Sequence, residues 1–142
     1  MRNVGAFLKD QRGPVWSVHP DQTVREALEL LARHNIGALL VLRDAHLEGV
    51  FSERDYARKV VLEGRSSSDT RVREIMATEV IHVAPEQSIE ECMALMTNHH
   101  VRHLPVLDGD QLIGLISIGD VVREMLSAQQ FLIDQLHQYI AG

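Results

Sequence analysis

The chain repeats itself. Val15 to Val61 aligns with Val80 to Leu126 without a gap, at a constant offset of 65 residues. Val15/Val80, Val18/Val83, Pro20/Pro85, Gln22/Gln87, Glu26/Glu91, Leu30/Leu95 and His34/His99 match, as do Leu39/Leu104, Val41/Val106 and Leu42/Leu107. The run closes with Leu47/Leu112, Gly49/Gly114, Ser52/Ser117, Asp55/Asp120 and Arg58/Arg123. Many of the remaining pairs exchange one apolar residue for another. That register over that length marks a tandem duplication, so the fold is built from two copies of one small unit. Ahead of each copy lies a short apolar segment, Val4-Gly5-Ala6-Phe7-Leu8 and Val72-Arg73-Glu74-Ile75-Met76, each read as a helical turn leading into its unit.

Within a unit the order is β-α-β-β-α. Val15–Val18 and Val80–Val83 are short strands, each ending two residues before a proline. Thr23-Val24-Arg25-Glu26 and Ser88-Ile89-Glu90-Glu91 are capping boxes. Behind them, Val24, Ala27, Leu28 and Leu31, and likewise Ile89, Cys92, Met93 and Met96, recur at helical spacing and predict amphipathic helices with one buried face. Ile36–Leu42 and Val101–Leu107 are apolar, partly β-branched strands; with Leu47–Phe51 and Leu112–Ile116 they form hairpins. The fold expected is α/β (α+β): two such units about a pseudo-two-fold axis, with small mixed sheets, helices on one face and an extra C-terminal helix. In chain order the division is 1–64 for the first unit with its lead-in, 65–71 for a polar linker, 72–126 for the second unit and 127–142 for the C-terminal helix.

Each unit ends in one pattern: Gly49-Val50-Phe51-Ser52-Glu53-Arg54-Asp55, then Gly114-Leu115-Ile116-Ser117-Ile118-Gly119-Asp120. Two apolar residues after a glycine suit the end of a buried strand. Ser-x-x-Asp suits the first turn of a helix, with serine capping a free amide and aspartate complementing the dipole. A strand thus runs straight into a helix N-terminus, where phosphate tends to bind. The same four residues are also a sufficient helix cap without any ligand.

With a formal charge of −6 the chain lacks the basic surface of a nucleic-acid binder. Locally, Arg54, Arg58, Lys59, Arg65, Arg71 and Arg73 cluster among Asp55, Glu63 and Asp69, as either a solvated mixed face or an anion site. The single cysteine, Cys92, rules out an intrachain disulfide and fits a reducing cytoplasm, where it reads as a buried core thiol. No apolar run approaches the ~18 residues of a membrane span. His99 and His103 have helical zinc spacing, but Pro105 and the β-like run from Val101 place His103 outside the helix. No metal site is expected. Nor is catalysis, since neither serine has a Gly-x-Ser-x-Gly context and no phosphate-binding glycine loop occurs.

Two tandem β-α-β-β-α units, each closing on Gly-h-h-Ser-x-x-Asp, resemble paired cystathionine-β-synthase (CBS) domains, the Bateman module. Asn35–Val41, Phe51–Tyr56 and Val101–Val106 further resemble stretches of stand-alone two-CBS proteins. The resemblance spans Val4 to about Leu126. It implies a non-catalytic regulatory module that binds an adenine nucleotide between the units and signals to a partner protein. AMP is the first candidate, with NAD(H), ADP, ATP or S-adenosylmethionine as alternatives. It implies ribose binding by Asp55 and Asp120, and phosphate binding by Ser52 and Ser117 with Arg54, Lys59, Arg102 and His103. Ile36, Ala38 and Ile118 would line an adenine slot. A homodimer goes with the resemblance. Beyond the repeat, Phe131, Leu132, Gln135, Leu136, Tyr139 and Ile140 form a helical stripe that either packs back on its own domain or meets a partner. The competing reading is a ligand-free adaptor docking through that helix.

Overall fold

Helix α1 (Val4–Asp10) opens the computed structural model, which describes residues 2–11 and 15–141. The elements that follow are β1 (Ser17–Val18), α2 (Val24–His34), β2 (Ala38–Arg43), β3 (His46–Ser52), α3 (Glu53–Tyr56), which runs on as a π-helical segment Ala57–Val61, α4 (Val72–Ile75), α5 (Ile89–His99), β4 (His103–Asp108), β5 (Gln111–Ser117) and α6 (Ile118–Ala141). They form two compact units. One is Pro14–Ile81; the other joins Met1–Gly13 to His82–Gly142.

In the first of these, β1 lies parallel to β2, and β2 pairs antiparallel with β3 from Ala38↔Ser52 to Arg43↔His46. The hairpin turns through Asp44 and Ala45, both at positive φ. Both capping boxes form: Thr23 with Glu26, and Ser88 with Glu91. The helices behind them end on left-handed residues at equivalent repeat positions, Asn35 and His100. Val24, Ala27 and Leu31 of α2 pack on Leu39, Val41 and Phe51 of the hairpin, with Val60, Val72 and Ile75 completing the cluster. In the second unit β4 and β5 form the equivalent hairpin, but the strand expected over Val80–Val83 shrinks to a single bridge, Val83↔Val106. In the first repeat Leu40 N–H donates to Trp16 O. Its repeat equivalent is Pro105, which has no N–H to give, so the ladder loses that bond.

The lead-in helices dock on the repeat they do not precede. Val72 and Arg73 donate to Gln22 O and Pro20 O of the first repeat, at 2.9 and 3.0 Å. Val4 and Gly5 make the matching bonds, 2.9 and 2.8 Å, to Gln87 O and Pro85 O of the second. Compact bodies and sequence-order domains therefore differ: residues 2–11 pack with the second repeat, because Val4 is fully buried there. The motif glycines permit this docking. A Cβ at Gly49 would lie 2.7 Å from Ala77 O and 2.9 Å from Met76 Sδ; at Gly114 it would lie 2.7 Å from Leu8 Cδ2.

Residues 65–71 also do more than connect. Thr70 O and Ser67 O accept the first-turn amides of α2, Val24 N–H and Arg25 N–H, and Thr70 is buried. No break separates the second repeat's last helix from the tail: α6 runs 24 residues, and Phe131, Leu132, Leu136, Tyr139 and Ile140 are exposed along it rather than folded back. No described helix is long and apolar enough to cross a membrane.

Two expectations follow. Gly49→Ala forces backbone at Ala77 to move and should cost about 1–3 kcal/mol, whereas Gly114→Ala meets only the flexible end of Leu8 and should cost less; urea denaturation of both variants ranks them. Burial pushes the Cys92 thiol up to about 11, so an alkylating reagent at pH 8 should leave native protein unmodified and label it on unfolding.

Candidate functional site

The two strand-to-helix corners are built alike. Ser52 ends β3 and caps α3: its N–H donates to Asp55 Oδ2 at 3.0 Å, and its Oγ accepts Asp55 N–H at 3.2 Å. Ser117 ends β5; its N–H donates to Asp120 Oδ2 at 2.8 Å and its Oγ accepts Asp120 N–H at 3.1 Å. The first helical amide is also taken, Glu53 N–H by Gly37 O at 3.1 Å and Ile118 N–H by Arg102 O at 2.8 Å. Of the first-turn amides, only those of Arg54 and Gly119 stay outside these bonds. The helix ends thus offer an anion fewer donors than the motif implies, since the loop before each hairpin supplies a carbonyl the sequence does not advertise.

Each aspartate keeps its second oxygen for a cation. Asp55 Oδ1 lies 3.4 Å from Lys59 Nζ, and Asp120 Oδ1 accepts from Arg123 at 2.7 Å. The carboxylates themselves are only 17% and 15% exposed, so they are neither sealed nor fully solvated. Ser52 Oγ also donates to Asp55 Oδ2 at 3.0 Å, which occupies the hydroxyl proton that phosphate would receive.

The other candidates divide between the units. In Pro14–Ile81, Ala38 is buried and pairs across the hairpin with Ser52; Ile36 is half-buried just before β2; Arg54 is exposed in the first turn of α3. In the other unit, His103 pairs across the hairpin with Ser117, with Arg102 exposed beside it and Ile118 half-buried at the start of α6. His103 does not share a helix with His99, which ends α5. The wider basic cluster disperses: Arg73 pairs with Asp21, Arg71 Nη1 donates to Asp21 O at 3.0 Å, and Arg65 pairs with Glu74 at 2.6 Å. These three serve structure. Arg123, which pairs with Asp120, is not among the residues the sequence pattern singles out, although its match to Arg58 and its position three after Asp120 are visible in the repeat.

A profile of the CBS domain matches residues 8–62 and 72–127. The chain belongs to the CBS-domain family, and its two repeats form a CBS pair, a regulatory module. It is similar to a protein with CBS domains from Burkholderia ambifaria MC40-6, with a TM-score of 0.86 and 51% identity over 89% of this chain and 96% of that one. It is 41% identical over 127 residues to the mitochondrial CBS domain-containing protein CBSX3 of Arabidopsis thaliana, covering 86% of this chain but only 62% of the plant protein. The CBS pair of protein MJ0100, solved with 5′-methylthioadenosine and S-adenosylmethionine, shares the fold at a TM-score of 0.79 and 22% identity, over 90% of this chain and 98% of that one.

Burial lowers the His103 pKa below its ordinary value of 6.5; the Asp120 charge opposes this and Arg102 adds to it. The native imidazole is therefore held neutral at pH 7. The unfolded state binds the proton more readily, so this contribution is complete above pH 6.5 and declines as pH falls through the unfolded and then the folded value. Thermal melting between pH 7.5 and 5.5 should show that decline, and His103→Gln should flatten it.

Proposed function

We propose that this chain is a non-catalytic sensor that binds an adenine nucleotide at its hairpin-to-helix corners and reports to a partner protein, as a homodimer. AMP is the first candidate, ahead of NAD(H), ADP, ATP and S-adenosylmethionine. The observation that carries the reading is the state of the two aspartates. One oxygen of each is spent on the cap; the other meets only a cation, Lys59 or Arg123, whose side chain is 44% or 72% exposed. An exposed ion pair contributes about 0–1 kcal/mol and gives way readily. Ribose hydroxyls can replace the cation on the carboxylate, and the cation then meets phosphate.

Ser117 would contribute through its hydroxyl, and Ser52 by turning its hydroxyl from Asp55 Oδ2 to the phosphate, with Arg54, Arg102 and a neutral, N–H-donating His103 around it. Ile36, Ala38 and Ile118 supply apolar surface for adenine. The fold supports the reading as well, since MJ0100 holds adenosine-bearing ligands on it. The non-catalytic reading goes with the same geometry, because the carboxylate beside each serine is held by the cap's backbone amide and by a cation rather than free to take a proton. A cytoplasmic location goes with the lone buried thiol.

The exposed apolar stripe on α6 favours a second reading, a ligand-free adaptor. Calorimetry with AMP, NADH, ATP and S-adenosylmethionine decides between them: no heat from any of the four up to about 1 mM, equivalent to about −4 kcal/mol, leaves only the adaptor. Asp55→Asn and Asp120→Asn retain a cap oxygen but lose the anion. Each should weaken its own site by about 1.5–3 kcal/mol, while equal affinity in both variants would make the aspartates caps alone.

A further inference from the structure

The two corners are equivalent in the sequence pattern but not in how they meet their lead-in helices. Lys59 Nζ donates to Ile75 O at 3.0 Å while it pairs with Asp55. Ile75 is the last residue of α4 and is buried, so Lys59 caps the C-terminal end of that helix, where a cation is favoured. The repeat equivalent of Lys59 is Glu124. It too ties its helix to the docked lead-in, but through Arg2, and it has the opposite charge. There the aspartate's cation is Arg123, one residue earlier, which makes no bond to α1 among the described residues.

We infer that Lys59 couples ligand at the Asp55 corner to the docking of α4, and that the Asp120 corner has no such coupling to α1. The inference rests on the nucleotide reading above and adds which site signals and through what. An ammonium has three donors. One is used, on Ile75 O; the others face Asp55, 3.4 Å away, and become available to a phosphate at the corner once ribose takes that carboxylate. Lys59 is oriented for that phosphate by the carbonyl of α4, so it acts as a positioning residue as well as a contact. By linkage, a phosphate that prefers the oriented ammonium stabilises the docked helix, and the docked helix strengthens the phosphate contact. At the other corner, anion binding to Arg123 leaves the Arg2–Glu124 tie unchanged.

Hydrogen exchange of the full-length chain, read by mass spectrometry with and without about 1 mM AMP, tests this, with calorimetry on the same samples. Without nucleotide, Lys59→Met should speed exchange of the 72–77 amides about tenfold, the loss expected of one charge-assisted hydrogen bond. The milder Lys59→Gln should speed it less. Glu124→Gln should loosen 4–10 and leave 72–77 unchanged. AMP should slow 72–77 in the wild type, have no effect there in Lys59→Met, and leave 4–10 unchanged in both. If AMP binds and 72–77 does not respond, the coupling is overturned and nucleotide binding stands. If none of AMP, NADH, ATP and S-adenosylmethionine gives heat, the nucleotide reading falls, and the ligand half of this inference falls with it. Unchanged exchange at 72–77 in nucleotide-free Lys59→Met overturns the latch itself.

Discussion

The reciprocal bond between Ser52 and Asp55, repeated between Ser117 and Asp120, is the joint on which both units turn. It lets a buried strand become a helix with no intervening loop. Because the serine is the last strand residue, it stays in hairpin register with Ala38 or His103 while it caps the helix. The sheet, the helix and the loop before the hairpin meet at one point, and Gly37 O and Arg102 O close that point by taking the first helical amide. A carboxylate held there is anchored by one oxygen and paired with a cation at the other.

The glycine three residues before each serine is a second constraint, and its reason is packing. Backbone and side chain of the docked lead-in occupy the space a Cβ would need, so the glycine serves the assembly of the unit rather than the approach of a ligand. The same docking draws in Lys59 at one corner and Glu124 at the other. Duplication supplied two similar joints; the difference at this one position gives one of them a cation shared between Asp55 and the lead-in. The other received an acid that serves the lead-in alone.

Much of this was legible. The capping boxes, the hairpins and the buried faces of α2 and α5 follow from contacts between residues three or four apart, or from strict alternation, and the repeat made each reading twice. The candidate site residues were legible as a set, yet their partners were not. Arg71 and Arg73 belong to Asp21, which lies far back in the sequence, and Arg65 turns to Glu74. The strand expected at Val80–Val83 failed because a single proline on its neighbour removed a donor, a loss visible only once the two are paired. The tail was legible as a helix, but its continuity with the second repeat's last helix was not, since no residue at the presumed boundary had to break it.

The amino-acid order by itself determined two copies of one β-α-β-β-α unit, each closed by a self-capping turn, because those features rest on bonds a few residues long. Which lead-in helix completes which unit was decided only in three dimensions. Both lead-ins bring a buried valine and two backbone amides to the same kind of docking. The choice depends on backbone bonds and buried contacts between segments far apart in the chain, such as Val4 with Gln87 and Val72 with Gln22.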